Sequence, residues 1–497
     1  MPPKTYKALL AAVIILLFVG VSFTQTRLVQ DREALGLNRY TELRGAPPIL
    51  ALTTVAFGGF RGLISNFLWI RANDLQQDGK YFEMVQLADW ITKLEPHFTQ
   101  VWLMQGWNMA FNISVEFNDP GDRWRWVERG MELMRDDGLR YNPYDVLLHR
   151  ELAWLFEFKM GGNMDDAQMY YKAAWAQEMY DLFKGDRPNW DALINPKTDD
   201  ERRRAALLRD KYKMDAQLMK EIDDKYGPLE WRLPEAHAMY WAIEGLRRAE
   251  KNERRINPDD LVTLRRIVYE SMDLAFQRGR LGTIKDAGGE RVIDLGPNLA
   301  MIPNANAAYE EAITNEEPRF REGFYSSHRY FLMDASFFLY LGGHEVDANR
   351  WYKYLAQKYP DKPLLTSQTN MLPGNTSLVD YAVARTEDEA QTLGEYKTRY
   401  MLEGLERKSL RSLADGDDQQ ADVLHRLAQN IWDRYDKKIK NLHNAKADNR
   451  LYVAPLPEIR GAVLKQLLSG ELSPEETALL ASKTGQTNIP PPAPKTP

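Results

Sequence analysis

The residues best suited to chemistry are spread thinly along this chain of 497 residues. Seven histidines include no His-Glu-x-x-His pair of zinc ligands, and no cysteine is present for thiolate ligation or nucleophilic attack. His237 lies beside Tyr240 and Trp241, a setting more typical of a hydrogen-bonded structural histidine than of a catalytic base. We therefore expect no catalytic residue, no metal site and no cofactor, and we interpret the protein as a non-enzyme.

Paired carboxylates do not change this interpretation. Four pairs are sequence neighbours: Asp136-Asp137, Asp165-Asp166, Glu310-Glu311 and Glu316-Glu317. Adjacent residues of a helix do not face each other, so such neighbours do not supply an acid and a base to one substrate. A run from Asp415 to Asp418 has the acidic character of a calcium loop, but Gln419 and Arg426 occupy ligand positions.

Charge and composition restrict the partner. The formal net charge is −6, and the run Arg202-Arg203-Arg204 follows three acidic residues, which indicates a solvated helix face. Nucleic acid is not expected as a partner, because neutralising phosphates requires clustered Lys and Arg. Hydrophobic residues make up 44% of the chain, with 13 Trp, 24 Tyr and 18 Phe, which is enough to bury a large core.

The elements that must position any site follow from a repeated register of helix pairs. In a 34-residue unit counted from Arg329, Gly343 falls at the turn and Pro360 at the exit. Small or apolar residues occupy the contact positions: Leu332, Ser336, Leu339, Ala348, Tyr352 and Leu355. A small residue at the helix crossing, an aromatic residue four positions later and a closing proline are typical of a two-helix repeat.

Other segments follow the register less closely. Counting from Ser65 places Gly79 at the turn and Pro96 at the exit, with these contact residues: Leu68, Ala72, Leu75, Met84 and Ala88. Counting from Thr99 places Trp102, Gly106 and Met109 correctly. There the exit position holds Gly130 and the next proline is Pro143, which predicts thirteen inserted residues and a loop at 118–121. A third pair is indicated after Asp165-Asp166, with Ala167, Tyr171 and Ala174.

This register is that of tetratricopeptide repeats (TPR), and the chain resembles membrane-anchored TPR-like proteins of bacteria. The resemblance implies an all-α fold, a TPR-like α-solenoid of antiparallel helix pairs behind one N-terminal transmembrane helix. It is a fold-level resemblance and names no partner.

The N-terminal segment Ala8–Thr26 carries no charged residue. As a helix it spans about 28 Å, close to the roughly 30 Å hydrocarbon core of a bilayer. Its eleven Leu, Ile, Val and Phe residues favour insertion by about 3 to 7 kcal/mol. Lys4 and Lys7 also fit a cleaved signal peptide, but no Ala-x-Ala cleavage site follows. We expect a single-pass anchor in the bacterial inner membrane, with the body in the periplasm.

A second apolar stretch, Ile49–Ile70, leaves an alternative open. Arg61 and several glycines bring its predicted insertion energy near zero. We interpret residues 49–64 as a helix packed under the array or resting on the membrane surface. A membrane hairpin would instead place the repeats in the cytoplasm, and the basic residues on either side of the anchor do not decide between the two.

Composition defines the other segments. Residues 279–305 are rich in Gly, Pro and Asn and are expected to form a long surface loop. Ser473 and Glu476 form a predicted capping box near the C-terminus. The predicted organisation is an anchor (1–26), a juxtamembrane helical segment (27–64), TPR-like repeats (65–180), an irregular helical region with the long loop (181–320), a TPR-like repeat (321–362), C-terminal helices (363–483) and a disordered Pro-rich tail (484–497).

Repeat geometry also predicts a binding surface. The second, fifth, ninth, twelfth and thirteenth positions of each first helix line the concave face. Asn108 and Asn112, four residues apart, offer two amides to a partner or to their neighbours inside the stack, and we favour the second interpretation. The predicted groove consists of Asn66, Trp69, Asn73, Gln76, Gln77, Gln100, Trp107, Asn108 and Asn112, and the same positions also include Leu103, Ala110 and Phe111. Trp69 stands where a carboxylate clamp has lysine, so capture of a peptide C-terminus is not expected.

These features favour a membrane-tethered scaffold that binds one or more envelope proteins, with no small-molecule ligand expected. The alternative is a glycan-binding or glycan-processing envelope protein, because Trp and Tyr rings can stack on sugars. The same residues commonly fill helix crossings.

Overall fold

The computed structural model describes residues 61–162, 165–251, 258–285, 291–389, 395–440 and 453–486, and scattered positions between 13 and 31. These residues are predominantly helical, which confirms the all-α expectation at the level of fold class. Strands within this described part form one two-stranded antiparallel hairpin. The chain divides into two compact units, residues 1–148 and 149–497.

The elements follow one another as helices with one interposed hairpin. In chain order they are α1 (Arg61–Gln77), α2 (Tyr81–Leu94), α3 (Thr99–Trp107), α4 (Pro120–Glu132), α5 (Leu139–Tyr141), α6 (Val146–Trp154), α7 (Gln168–Phe183), α8 (Trp190–Ile194), α9 (Asp199–Asp210), α10 (Ala216–Tyr226), α11 (Pro234–Glu250), α12 (Pro258–Arg278), β1 (Arg280–Lys285), β2 (Arg291–Gly296), α13 (Ile302–Asn315), α14 (Arg321–Leu341), α15 (Glu345–Lys358), α16 (Leu378–Glu389), α17 (Glu395–Ala414), α18 (Asp418–Lys440), α19 (Leu456–Gln466) and α20 (Pro474–Thr484). Within the described ranges, four π-helical segments interrupt or extend this series: Asn108–Ile113, Leu133–Gly138, Leu155–Met160 and Leu467–Glu471.

Two of the predicted helix pairs form where the register places them. Helices α14 and α15 pack together around Gly343, whose φ of 81° lies in the left-handed region that favours glycine. Helices α1 and α2 pack around Gly79 in the same way, with φ of 72°. The contact residues are buried as predicted, apart from the partly buried Leu68: Ala72, Leu75, Met84, Ala88, Leu332, Ser336, Leu339, Ala348, Tyr352 and Leu355.

The unit that starts at Thr99 also forms a helix pair, and the inserted residues lengthen its helices. The π-helical segment Asn108–Ile113 and a 3-10 turn extend α3 to Glu116. Asp119 caps α4 by accepting a hydrogen bond from the backbone N–H of Asp122, so the turn falls at 117–119. The second helix then continues through Leu133–Gly138 and α5 to Tyr141, just before Pro143.

The expectation of a long loop at residues 279–305 is wrong. Strands β1 and β2 pair antiparallel, with Leu281 opposite Leu295 and Thr283 opposite Ile293, and α13 begins at Ile302. β-branched residues such as Ile284 and Val292 favour strands. Averaging composition over a segment rich in Gly, Pro and Asn concealed this local preference.

Other local expectations are confirmed. Ser473 accepts a hydrogen bond from the N–H of Glu476 while the Glu476 side chain accepts from the N–H of Ser473, which completes the capping box of α20. Helices α16, α17 and α18 occupy the predicted C-terminal helical region.

Several predicted segments fall wholly or largely outside the described residues. These are the anchor at 1–26, most of the juxtamembrane segment at 27–64, and the tail from residue 487. Among the helices that the structure does describe, none combines the length and the apolar character of a membrane span.

Candidate functional site

The predicted groove begins on α1. Asn66, Asn73 and Gln77 are exposed, and Gln76 is half-buried. Trp69 is also half-buried, because its ring packs against Phe98 with centroids 5.4 Å apart. The polar positions of this helix therefore form an accessible stripe, while Trp69 contributes to packing beside it.

On α3, the accessible part of the groove is aromatic. Gln100 is exposed, and Trp107 retains 39% of its surface accessible. The Trp107 ring stacks on Phe111, with centroids 5.2 Å apart and planes at 19°. The stacked rings form a flat apolar surface in the compact unit 1–148. Polar Gln100 lies seven residues before Trp107 in the sequence.

Asn108 and Ala110 do not lie on that surface, so neither belongs to the groove; for Asn108 this agrees with the interpretation that its amide bonds to neighbours inside the stack. Both are fully buried. The Asn108 amide accepts a hydrogen bond from Asn112 Nδ2 at 3.0 Å, and its own Nδ2 donates to the carbonyl of Tyr81 at 3.4 Å. For Ala110 the physical reason is the π-helical segment that starts at Asn108, because its wider turn rotates the side chains that follow out of α-helical register. Asn108 and Asn112 thus serve the packing inside the stack.

Several other tryptophans belong to the core. Trp124, Trp175, Trp231 and Trp241 are buried, and Trp126 is half-buried against Phe82 and Phe117. Aromatic residues at helical spacing pack between helices in this fold, as the more conservative interpretation predicts.

A second candidate site, which sequence reasoning missed, is a cavity of about 300 Å³ between α12, α13 and α14. Three carboxylates and one guanidinium line it: Glu270, Asp273, Glu316 and Arg266. Five aromatic rings line it as well: Tyr269, Tyr309, Phe320, Phe324 and Tyr330. All of these residues lie in the second unit.

Asp273 has an unusual environment. Its Oδ2 accepts a hydrogen bond from Gln277 Nε2 at 2.8 Å, and the same amide nitrogen donates to Asp334 Oδ2 at 3.0 Å. The other oxygen, Oδ1, is buried and has no hydrogen-bond partner among the described residues. Burial, and next the charge of Asp334, raise the pKa of Asp273 to about 7, although Lys397, Gln277 and Arg385 act in the opposite direction.

The other two carboxylates of the cavity differ in their partners. Glu316 pairs with Arg265, with Oε2 2.8 Å from Nε. Glu270 lies three residues before Asp273 on α12, and burial raises its pKa while Arg266 lowers it. Residues three apart on a helix are neighbours on one face, so the spacing of Glu270 and Asp273 could have predicted that their carboxylates lie side by side. The sequence does not predict that α13 and α14 pack against this face of α12 and close the cavity.

No family model, curated protein or solved structure matches this chain. Its sites are therefore interpreted from their own geometry.

His237 and His328 both have hydrogen-bond partners within the helical packing. His237 is fully buried, its Nε2 lies 2.8 Å from the carbonyl oxygen of Trp231, and burial lowers its pKa to about 4. His328 Nδ1 lies 2.9 Å from the Tyr359 hydroxyl oxygen, and His328 Nε2 lies 2.9 Å from Asn306 Oδ1. His237 thus has the hydrogen bond expected of it, while its Nδ1 is buried and has no hydrogen-bond partner among the described residues. Within the described ranges, no three His, Cys, Asp or Glu side chains are grouped so that they could hold a metal ion.

Proposed function

We propose that this protein is a membrane-tethered, TPR-like scaffold that binds another protein of the bacterial envelope and does not catalyse a reaction. The observation that carries the proposal is exposed Trp107, whose ring stacks on half-buried Phe111 at the end of the first helix of a repeat unit. Exposed large apolar groups typically mark interaction sites, and tryptophan is enriched among residues that dominate binding energy.

Helix α1 supports the same proposal. Phe67 and Ile70 are 71% and 62% exposed, and they are three residues apart on one helical face. Exposed polar Asn66 and Asn73 flank them in the sequence. Apolar contacts within a polar rim are the usual composition of a protein interface.

The tether is proposed from the N-terminal segment. The described positions between 13 and 31 are helical, and seven apolar side chains among them are between 47% and 71% exposed: Val13, Leu16, Leu17, Val19, Val21, Phe23 and Leu28. A helix that exposes this much apolar surface gains free energy by entering lipid. We place it as a single-pass anchor of the inner membrane with the body in the periplasm.

The TPR-like character is proposed from the two pairs that keep the register most closely, α1 with α2 and α14 with α15. Each has a glycine with positive φ at the turn and buried small and aromatic or apolar residues at the crossing. The glycan alternative has less support, because several of the tryptophans that motivated it, such as Trp175 and Trp231, are buried in helix packing.

The experiment is a pull-down from detergent-solubilised membranes with the full chain, its Trp107→Ala variant and its Trp90→Ala variant. Trp90 is 56% exposed on α2, outside the predicted groove, so it is a matched control. We expect Trp107→Ala to lower recovery of the envelope partner about tenfold or more, since truncating such a residue typically costs about 2 kcal/mol or more. Equal recovery with both variants, or equal loss with both, would contradict the proposal.

A further inference from the structure

We propose that the cavity between α12, α13 and α14 binds an organic cation, meaning a primary ammonium or guanidinium group on a short aliphatic chain. The inference goes beyond the docking of a protein partner and does not rest on it, because every residue of the cavity lies in the second unit. It also departs from the expectation that no small molecule binds.

Aromatic rings form much of the cavity wall. Tyr269 meets Phe324 edge to face, with centroids 4.9 Å apart at 84°, and it lies 5.5 Å from Tyr309 at 32°. A cation within about 6 Å of a ring centroid is attracted by the ring quadrupole. Because five aromatic residues line the cavity, a ligand inside it lies close to more than one ring.

The charges of the wall favour a positive ligand. Carboxylates outnumber guanidinium groups three to one among the lining residues, and only Glu316 has an ion-pair partner, Arg265, at hydrogen-bond distance. Among the described residues, Glu270 and Asp273 have no ion-pair partner at that distance and lie one helical turn apart on the same face of α12, although the charge of Arg266 lowers the pKa of Glu270. Two neighbouring carboxylates in a partly enclosed site attract a cation.

Asp273 is incompletely compensated by the protein itself. Its hydrogen-bond partner is a neutral amide, that of Gln277, and the adjacent Asp334 already pairs with Arg385. Lys397 and Arg385 favour the charged form of Asp273, but burial and Asp334 outweigh them, so its pKa stays raised. A ligand cation would supply the missing charge, and a charge-assisted hydrogen bond to a carboxylate is stronger than a neutral one.

The size of the cavity restricts the ligand. A volume of about 300 Å³ lies at the lower end of the range for small-molecule pockets. It therefore fits one short chain with a charged head and excludes an oligosaccharide. Such a cation can be a free amine or the side chain of Lys or Arg on a partner, and the test separates these two sources.

The test is calorimetric titration of the full chain in detergent with butylguanidinium, butylammonium and the neutral isostere N-butylurea. We expect both cations to bind and N-butylurea to bind at least about tenfold more weakly. Asp273→Asn should weaken cation binding about tenfold or more, because it removes a charge-assisted hydrogen bond. The matched control Glu322→Gln removes an exposed carboxylate of α14 that does not line the cavity, and it should bind as the wild type does.

A second variant tests the aromatic wall. Phe324→Leu keeps an apolar group but removes a ring, so it should lower the affinity for butylguanidinium several-fold and leave that for N-butylurea unchanged. An acetyl-Gly-Arg-Gly-amide peptide that binds more tightly than butylguanidinium would assign the site to a partner side chain, and the reverse order would assign it to a free amine. Absence of cation binding, equal binding of N-butylurea, or unchanged binding by Asp273→Asn would overturn the proposal and leave Asp273 as a protonated structural residue.

Discussion

Several carboxylic acids of the second unit are held where water cannot fully solvate a charge. Glu157, in the π-helical segment after α6, is buried, and Glu235 is buried beside Arg278, with Oε1 2.5 Å from Nε. Burial, and next the charge of Glu270, raise the pKa of Glu157 to about 8. Near neutral pH Glu157 is therefore mostly protonated in the folded chain, whereas the same group is ionised in the unfolded chain.

The pH dependence of unfolding should reveal Glu157. Its pKa is about 8 in the folded chain against 4.5 for the unperturbed group, so the folded chain binds the proton more tightly. The free energy of unfolding should thus fall as pH rises from about 4.5 to about 8, by at most about 1.4 kcal/mol per pH unit for this group. Glu157→Gln has no charge to bury, and its stability should depend less on pH across that window.

Urea unfolding at pH 5, 6.5 and 8 measures this difference. Glu116→Gln is the matched control. It also removes a carboxylate, but Glu116 is exposed, so removing it relieves no cost of burying a charge. If wild type and Glu157→Gln show the same pH dependence, Glu157 does not titrate in this window.

Single positions of the groove were partly predictable. The exposure of Asn73, Gln100 and Trp107 follows from repeat register alone. The burial of Ala110 does not, because it depends on a π-helical segment that repeat spacing does not encode. Helix α1 is α-helical throughout, so the repeat register predicts the exposure of its polar positions correctly.

At the scale of elements, the extended α3 and α4 come very close where two glycines meet. A Cβ atom added to Gly130 would lie 2.6 Å from the carbonyl oxygen of Gly106, and one added to Gly106 would lie 2.7 Å from Met134 Cγ. Backbone at this distance cannot move aside as a flexible side chain can. The absence of a side chain at Gly130 therefore sets the distance between these helices.

We expect Gly130→Ala to destabilise the protein by about 1 to 3 kcal/mol, the usual cost of overpacking. Gly461→Ala is the matched control, since Gly461 lies within α19 and an added Cβ meets no atom within 4 Å. That control should stabilise by about 0.4 to 1 kcal/mol, because alanine favours the helix and restricts the unfolded chain. Thermal unfolding of both variants is the measurement, and a Gly130→Ala midpoint at or above the wild type would contradict the close contact.

Helix pairs were more predictable than their connections. Turn glycines, crossing residues and closing prolines all lie within one 34-residue unit, so local sequence specifies α1 with α2 and α14 with α15. Hairpin β1–β2 was missed, because each strand has only six residues within a segment rich in turn formers.

At the scale of the whole molecule, the repeat register recurs in both compact units, at residues 65–96 and 329–360. A helical class and its repeated pairs follow from periodicity in one sequence. The cavity does not, because it requires α12, α13 and α14 to converge, and sequence spacing along one helix does not specify its neighbours. Asp273 and Phe324, 51 positions apart, line it together.

The central claim, that the exposed faces of α1 and α3 bind a protein of the envelope, is tested most directly by photo-crosslinking in intact cells. A photoreactive residue placed at Asn73 or Gln100, both exposed in the predicted groove, should yield adducts with one periplasmic or membrane protein. The same residue at exposed Lys197, in the second unit, should not yield that adduct. Adducts that form equally from all three positions, or only with cytoplasmic proteins, would contradict the claim.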